Sequence, residues 1–284
     1  MNPASTSPLS ESAGPPPISH TLRYLAPNVV TALSMVCAVL AIQAVLRGET
    51  IVACWWVLYS TVTDKLDGYV ARALKASSPL GVQMDSLADL LNYGFMPAAI
   101  SYDLFYRYPE LGWREGWHPY LLGVICGIYA LCAAVRLARF NVSRSNPDFF
   151  FGVPTTVAGA FAMATLITCA KYGNPVWTKG STYPGWRILG EIRLDWLMHY
   201  YPYLFLFLSY LMVSSWRVPK AGRIPNRILN TYVFVGMFVG YALGILHLVP
   251  EILVVGGFQY FAVGIYCHFF LTPNEKPEPF FPAP

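Results

Sequence analysis

The sequence has few charged residues. Only 12% of its 284 residues are Asp, Glu, Lys or Arg, whereas 55% are hydrophobic, and the mean hydropathy is +0.45. This composition excludes an ordinary soluble domain and is typical of a polytopic membrane protein. The net charge is only +4, so no nucleic-acid partner is expected.

Clusters of soft metal ligands are also lacking. The six cysteines fall in apolar stretches without a C-x-x-C pair, and the five histidines are scattered without metal-ligand spacing. This pattern argues against a zinc or dithiol redox site and predicts that the cysteines are small buried hydrophobic residues.

Residues 1–20 lack the basic start and apolar core of a cleavable signal peptide. They are rich in Pro and Ser and are predicted to form a disordered tail, as is the Pro-rich segment 272–284. Residues 21–271 between them are predicted to form one membrane domain. We expect an all-α fold of about eight transmembrane helices, at 28–46, 51–72, 81–104, 119–139, 153–171, 200–216, 228–248 and 252–271.

Lys and Arg indicate an orientation for these helices. More of these basic residues fall in short connections on the side of the membrane where both termini are predicted to lie. By the positive-inside rule this side is cytoplasmic. We therefore expect a multi-pass protein of the inner (plasma) membrane with its termini in the cytoplasm.

Four carboxylates stand near the ends of the second and third apolar stretches. The chain reads D-K-L-D-G-Y-V-A-R from Asp64 and, after eight residues, G-V-Q-M-D-S-L-A-D up to Asp89. Asp64 and Asp67 are three apart and Asp85 and Asp89 are four apart, so each pair shares one helix face. Ser78 and Pro79 predict a tight connection and a new helix near Leu80. The spacing thus predicts a site at the cytoplasmic ends of the second and third helices.

Four adjacent carboxylates would repel one another without a cation, and oxygen ligands suit Mg²⁺ or Mn²⁺. Gly68, Ala71 and Gly81 keep the surrounding surface low, so a ligand can approach the backbone. Arg72 offers a cation for a phosphate group. Together these features indicate a diphosphate substrate.

The complete pattern D-x2-D-G-x2-A-R-x8-G-x3-D-x3-D resembles the signature of the CDP-alcohol phosphotransferases, with eight fixed positions in 26 residues. Further segments resemble the bacterial-type phosphatidylserine synthase branch, among them R-L-A-R-F-N at 136–141 and F-F-G-V-P at 150–154. The resemblance implies a metal site of Asp64, Asp67, Asp85 and Asp89, with Asp89 as general base. It also implies CDP-diacylglycerol bound near Gly68, Ala71, Arg72 and Gly81, transfer of its phosphatidyl group to L-serine, and a homodimer among membrane lipids.

A second set of residues is expected to bind the acceptor alcohol. Arg136 and Arg139 are three apart and would share a helix face, where two guanidinium groups suit a carboxylate. Asn141 follows them, and Asn92 comes about one turn after Asp89. The alternatives are snorkelling to lipid headgroups for the arginines and plain packing for Asn92.

Other functions fit parts of the same pattern. Glycerol phosphate, inositol phosphate or choline are alternative acceptors for the same chemistry. A divalent-metal transporter is the alternative from another class, because an acidic cluster can also serve as an ion site within a membrane.

Overall fold

The structure, a computed structural model, describes residues 18–76, 78–142, 149–174, 177, 187–219, 227–246 and 249–270. Its longer elements are α1 (Ile18–Leu46), α2 (Thr50–Leu74), α3 (Pro79–Asp89), a π-helical turn (Leu90–Phe95), α4 (Met96–Arg107), α5 (His118–Val142), β1 (Phe149–Phe151), α6 (Thr155–Tyr172), α7 (Asp195–Val213), β2 (Arg217–Pro219), α8 (Arg227–Ile245) and α9 (Pro250–Phe270). The expectation of a mostly helical chain is confirmed. The two short strands were not part of the all-α prediction.

Each of the eight segments predicted to span a membrane contains helix. Three stretches within the described helices are long and apolar enough to cross a bilayer: Leu25–Leu46, His118–Val142 and Pro250–Phe270. The count of eight spans and their orientation stay predictions. Helix α1 begins at Ile18, inside the predicted tail 1–20, and the rest of that tail and segment 272–284 lie outside the described residues.

Small residues bring the central helices close together. Helix α1 packs along α2, and Ala38, Ala41 and Ala53 are fully buried at this contact. Helix α6 packs against α2, α7 and α9. At Gly159 of α6 an added Cβ would lie 2.9 Å from Cα of Tyr93, so only glycine permits this approach. Five of the six cysteines, including Cys54 and Cys169, are buried, as predicted.

The connection between α2 and α3 is as short as the sequence predicts. Helix α2 ends at Leu74, and Lys75 takes the left-handed conformation with a φ of 49°. The Ser78 hydroxyl accepts a 3.0 Å hydrogen bond from the Gly81 amide, and Pro79 is the first helical residue. This tight turn sets α3 against α1.

Strands β1 and β2 form an antiparallel pair, with Phe150 opposite Val218. The residue after β1, Gly152, has a φ of +75°, and a Cβ there would lie 2.2 Å from the Met212 carbonyl oxygen. Only glycine therefore fits this close crossing of β1 over the end of α7. The crossing leads the chain directly into the first turn of α6.

Candidate active site

Three of the four predicted carboxylates meet at one point. Asp64 and Asp67 project from α2 and Asp85 from α3, and one oxygen of each lies within 4.8 Å of the others. Asp89, at the end of α3, has its carboxyl group close to that of Asp64. The structure thus brings the whole predicted set together, because each pair shares the helix face that its spacing specifies.

The donor set fits a hard divalent ion. Every ligand is a carboxylate oxygen, which Mg²⁺ and Mn²⁺ prefer. Oxygens on opposite sides of Mg²⁺ lie about 4.2 Å apart, since each is about 2.1 Å from the ion. The three carboxylate oxygens lie within 4.8 Å of one another, which is close to that value. This separation also suits two ions about 4 Å apart. Without a cation, repulsion among these negative charges would oppose their approach.

A hydroxyl from α1 supports the cluster, and the sequence pattern did not reveal it. The Thr31 hydroxyl lies 2.9 Å from Oδ2 of Asp67 and donates to it. Both residues are buried, and such outer partners orient metal ligands. A single sequence carries no signal for a partner so distant along the chain.

A cleft of about 110 Å³ opens beside the carboxylates. Three of the predicted small residues line it, Gly68, Ala71 and Gly81, together with Asn28 and Thr31 of α1. A Cβ at Gly81 would lie 2.9 Å from Oδ1 of Asn28, so glycine keeps this wall open. The Arg72 side chain is exposed and folds back over Gly68, with Nη1 3.3 Å from the position of a Cβ there.

Arg136 is the acceptor-site candidate whose charge acts on one of the carboxylates, Asp89. Its guanidinium group interacts electrostatically with Asp89, and Nη1 donates a 3.2 Å hydrogen bond to the Thr155 hydroxyl. The side chain is 8% exposed, although Arg is rarely buried unless it is paired. Asp89 is therefore within electrostatic range of both the acidic cluster and a buried cation.

Arg139 and Arg136 contact different rings of β1, and their joint binding of an acceptor stays a prediction. Its Cζ lies 5.5 Å from the centre of the Phe151 ring, while Arg136 lies against Phe150. Successive side chains of a strand point to opposite faces, which accounts for the different ring that each arginine contacts. Arg139 also donates a long, 3.5 Å hydrogen bond to the Val213 carbonyl at the end of α7.

The two asparagines have different surroundings. Asn141 Nδ2 donates a 2.9 Å hydrogen bond to the hydroxyl of Ser86, which neighbours Asp85, so Asn141 joins the end of α5 to α3 near the site. Asn92 is fully buried in the π-helical turn, and its Nδ2 donates to the Ser34 carbonyl of α1 at 3.0 Å. This contact ties the turn to α1, and acceptor binding by Asn92 remains a prediction.

These features define a helical membrane protein with a carboxylate cluster beside a glycine-lined cleft. A family model described as CDP-alcohol phosphatidyltransferase matches residues 24–189, more than half of the chain. The chain belongs to this family of transferases, as its sequence motif indicated.

Three similar proteins carry the same name. The chain is 31% identical over 219 residues to a CDP-diacylglycerol–serine O-phosphatidyltransferase of Helicobacter pylori strain J99, covering 76% of this chain and 80% of that protein. Its counterpart in H. pylori strain 26695 is 34% identical over 52% of this chain and 60% of its own length. A protein of that name from Mycobacterium tuberculosis H37Rv is 33% identical over 54% of this chain and 53% of its own length. The matches to the latter two therefore span less than two thirds of those proteins.

Proposed function

We propose that this protein transfers the phosphatidyl group of CDP-diacylglycerol to L-serine, forming phosphatidylserine and releasing CMP. The observation that carries the proposal is the carboxylate cluster of Asp64, Asp67 and Asp85 beside the cleft, with Asp89 and the buried Arg136 nearby. A metal-bound diphosphate would bind at the carboxylate cluster, and an acceptor that bears a carboxylate would bind at Arg136. The names of the relatives support serine as that acceptor.

The donor substrate is assigned to the cleft and the acidic cluster. Asp64, Asp67, Asp85 and Asp89 would hold Mg²⁺ or Mn²⁺ through their oxygens, in line with the donor set. When bound, the ion supplies positive charge that stabilises the diphosphate and the departing CMP. Gly68, Ala71 and Gly81 leave room for the nucleotide part, and the exposed Arg72 offers a cation to a phosphate oxygen.

The acceptor is assigned to the side of Arg136. The guanidinium group binds the serine carboxylate, which directs the serine hydroxyl towards Asp89. Asp89 accepts the hydroxyl proton as the serine oxygen attacks the phosphorus of the phosphatidyl group. The new phosphorus–oxygen bond forms while the bond from this phosphorus to the CMP oxygen breaks. Direct transfer of this kind inverts the configuration at phosphorus, and retention would contradict it.

The site is assigned to the cytoplasmic side of the inner membrane, where a cytidine nucleotide is available. The basic residues of the short connections on this side support the assignment. A homodimer embedded in membrane lipids is part of the proposal and rests on the family membership.

The experiment is a transfer assay with purified protein, CDP-diacylglycerol and Mn²⁺ or Mg²⁺. Serine, glycerol phosphate, inositol phosphate and choline are offered separately, and CMP and the lipid product are measured by mass spectrometry. We expect CMP release with serine only. CMP release with a different alcohol and not with serine would refute serine as acceptor. Metal uptake by proteoliposomes without any CMP release would favour a transporter.

Two variants test the role of Asp89. Asp89→Asn should leave expression intact and abolish turnover, because the amide cannot accept the proton. Asp103→Asn is the matched control, since Asp103 pairs with Arg107 outside the site. Substantial turnover by Asp89→Asn would remove Asp89 as the base.

A further inference from the structure

Two aromatic rings and a hydroxyl enclose the guanidinium group of Arg136. Its Cζ lies 5.6 Å from the centre of the Phe140 ring and 5.8 Å from that of Phe150, and the two rings are 5.9 Å apart. Thr155 accepts the hydrogen bond from Nη1. Each ring face attracts the positive charge, most strongly where water is excluded. These contacts hold the guanidinium group where it interacts with Asp89.

The ring of Phe150 is itself fixed by the β1–β2 pair. Phe150 is opposite Val218, and the Gly152 amide that follows donates a 2.8 Å hydrogen bond to the Trp216 carbonyl. At the far strand, Arg217 Nη2 donates to the His268 carbonyl of α9 at 3.2 Å. The strand pair is therefore anchored to α7 and α9, and it carries Phe150 to the end of α5.

The neighbouring ring of β1 serves a different arginine. Phe151 lies against Arg139, whereas Phe150 lies against Arg136. Phe151 is thus a matched control within the same strand.

We infer that β1 is a positioning element for the acceptor site, in which Phe150, with Phe140, holds the Arg136 guanidinium group in place near Asp89 for an acceptor carboxylate. This inference rests on the proposed function. An unconstrained Arg side chain loses rotamer freedom when it binds a ligand. The rings restrict Arg136 before the acceptor binds, so binding costs less conformational entropy. Phe140 and Phe150 are positioning residues, because they act through Arg136 and do not touch the substrate themselves.

The kinetic test compares Phe150→Leu and Phe140→Leu with Phe151→Leu. The first two should raise the KM for serine about tenfold, the effect of losing one desolvated cation–π contact, with the KM for CDP-diacylglycerol unchanged. Phe150→Tyr, which keeps the ring face, should retain the original KM for serine. Phe140 is 42% exposed, so its variant preserves the fold even where Phe150→Leu does not. Equal KM values for serine in Phe140→Leu, Phe151→Leu and the unaltered protein would overturn the inference.

A chemical readout separates this inference from the proposed function. Phenylglyoxal modifies exposed arginines, and peptide mass spectrometry reports the rate at Arg136. Phe150→Leu and Phe140→Leu should raise that rate severalfold, and Phe151→Leu should leave it unchanged. If the unaltered protein releases no CMP with serine, the proposed function fails while these rates still test the positioning. An unchanged rate in both variants would refute the positioning even in an active enzyme.

Discussion

Thr31 of α1 donates a 2.9 Å hydrogen bond to Oδ2 of Asp67 in α2. The bond crosses between the two helices and fixes one carboxylate of the acidic cluster. Because outer partners orient metal ligands, Thr31→Val should weaken the affinity for Mn²⁺ by about tenfold or more. Titration of the purified protein with Mn²⁺, followed by electron paramagnetic resonance, measures the change.

Thr63→Val provides the control for this prediction. The Thr63 hydroxyl donates within its own helix to the Ser60 carbonyl, 2.9 Å away, so its loss should leave the affinity for Mn²⁺ unchanged. Thr31→Ser, which keeps the hydroxyl, should bind Mn²⁺ like the unaltered protein. An equal affinity in Thr31→Val would show that the bond has no part in metal binding.

Gly81→Ala should narrow the cleft. The added Cβ would lie 2.9 Å from Asn28 Oδ1 and 3.1 Å from Ser78 Oγ, which is closer than such atoms normally approach. We expect the KM for CDP-diacylglycerol to rise about tenfold, in a CMP-release assay with serine saturating. Gly127→Ala is the control, because a Cβ at this position of α5 meets nothing within 4 Å. If both variants kept the original KM, the cleft would not be the nucleotide site.

Removal of divalent ions should abolish transfer. Four adjacent carboxylates without a cation would repel the diphosphate as well as one another. We expect EDTA to stop CMP release and added Mg²⁺ or Mn²⁺ to restore it. Full activity after dialysis against EDTA would exclude the proposed role of the cluster.

A buried ion pair joins α6 to α9. Lys171 Nζ lies 2.9 Å from Glu251 Oε1, with the side chains 1% and 7% exposed, and the Tyr172 hydroxyl also donates to Glu251. Lys171→Met would leave a buried carboxylate without its cation, so it should lower the free energy of unfolding by about 3–5 kcal/mol. Thermal unfolding in detergent measures the loss.

The ion pair of Arg107 and Asp103 offers the comparison. Its side chains are 38% and 26% exposed, so Arg107→Met should cost less than about 1 kcal/mol. A similar loss of stability in both variants would contradict the assignment of Lys171 and Glu251 as a buried, interdependent pair.

The sequence allowed the acidic cluster to be predicted because its geometry is local. Asp64 and Asp67 share one helix face, Asp85 and Asp89 share the next, and Ser78 and Pro79 mark the connection. The positions of the helices could also be predicted from a local signal, because apolar stretches of membrane length mark them. Each of these signals lies within a few residues of the structure that it specifies.

The features of the site that the sequence did not reveal depend on contacts between segments far apart in the chain. Thr31 meets Asp67 and Asn92 meets Ser34 only after α1 has packed on its neighbours. Arg136 and Arg139 also contact two rings of strand β1, and helical spacing did not predict these contacts. A short strand pair formed by residues far apart in the chain leaves no periodic pattern to detect.

The π-helical turn Leu90–Phe95 also has a consequence for the phase of its helix. A one-residue excess over α-helical geometry rotates everything beyond it by about 100°. A helical wheel drawn through α3 and α4 therefore loses register after Phe95. On one side of the turn the helix presents Asp85 and Asp89, and on the other it buries Ile100 and Leu104 in the core. The continuous helix thus presents one face to the carboxylate cluster before the turn and a differently oriented face to the core after it. Substitutions that repack α4 can therefore accumulate without turning the carboxylates away from the cluster.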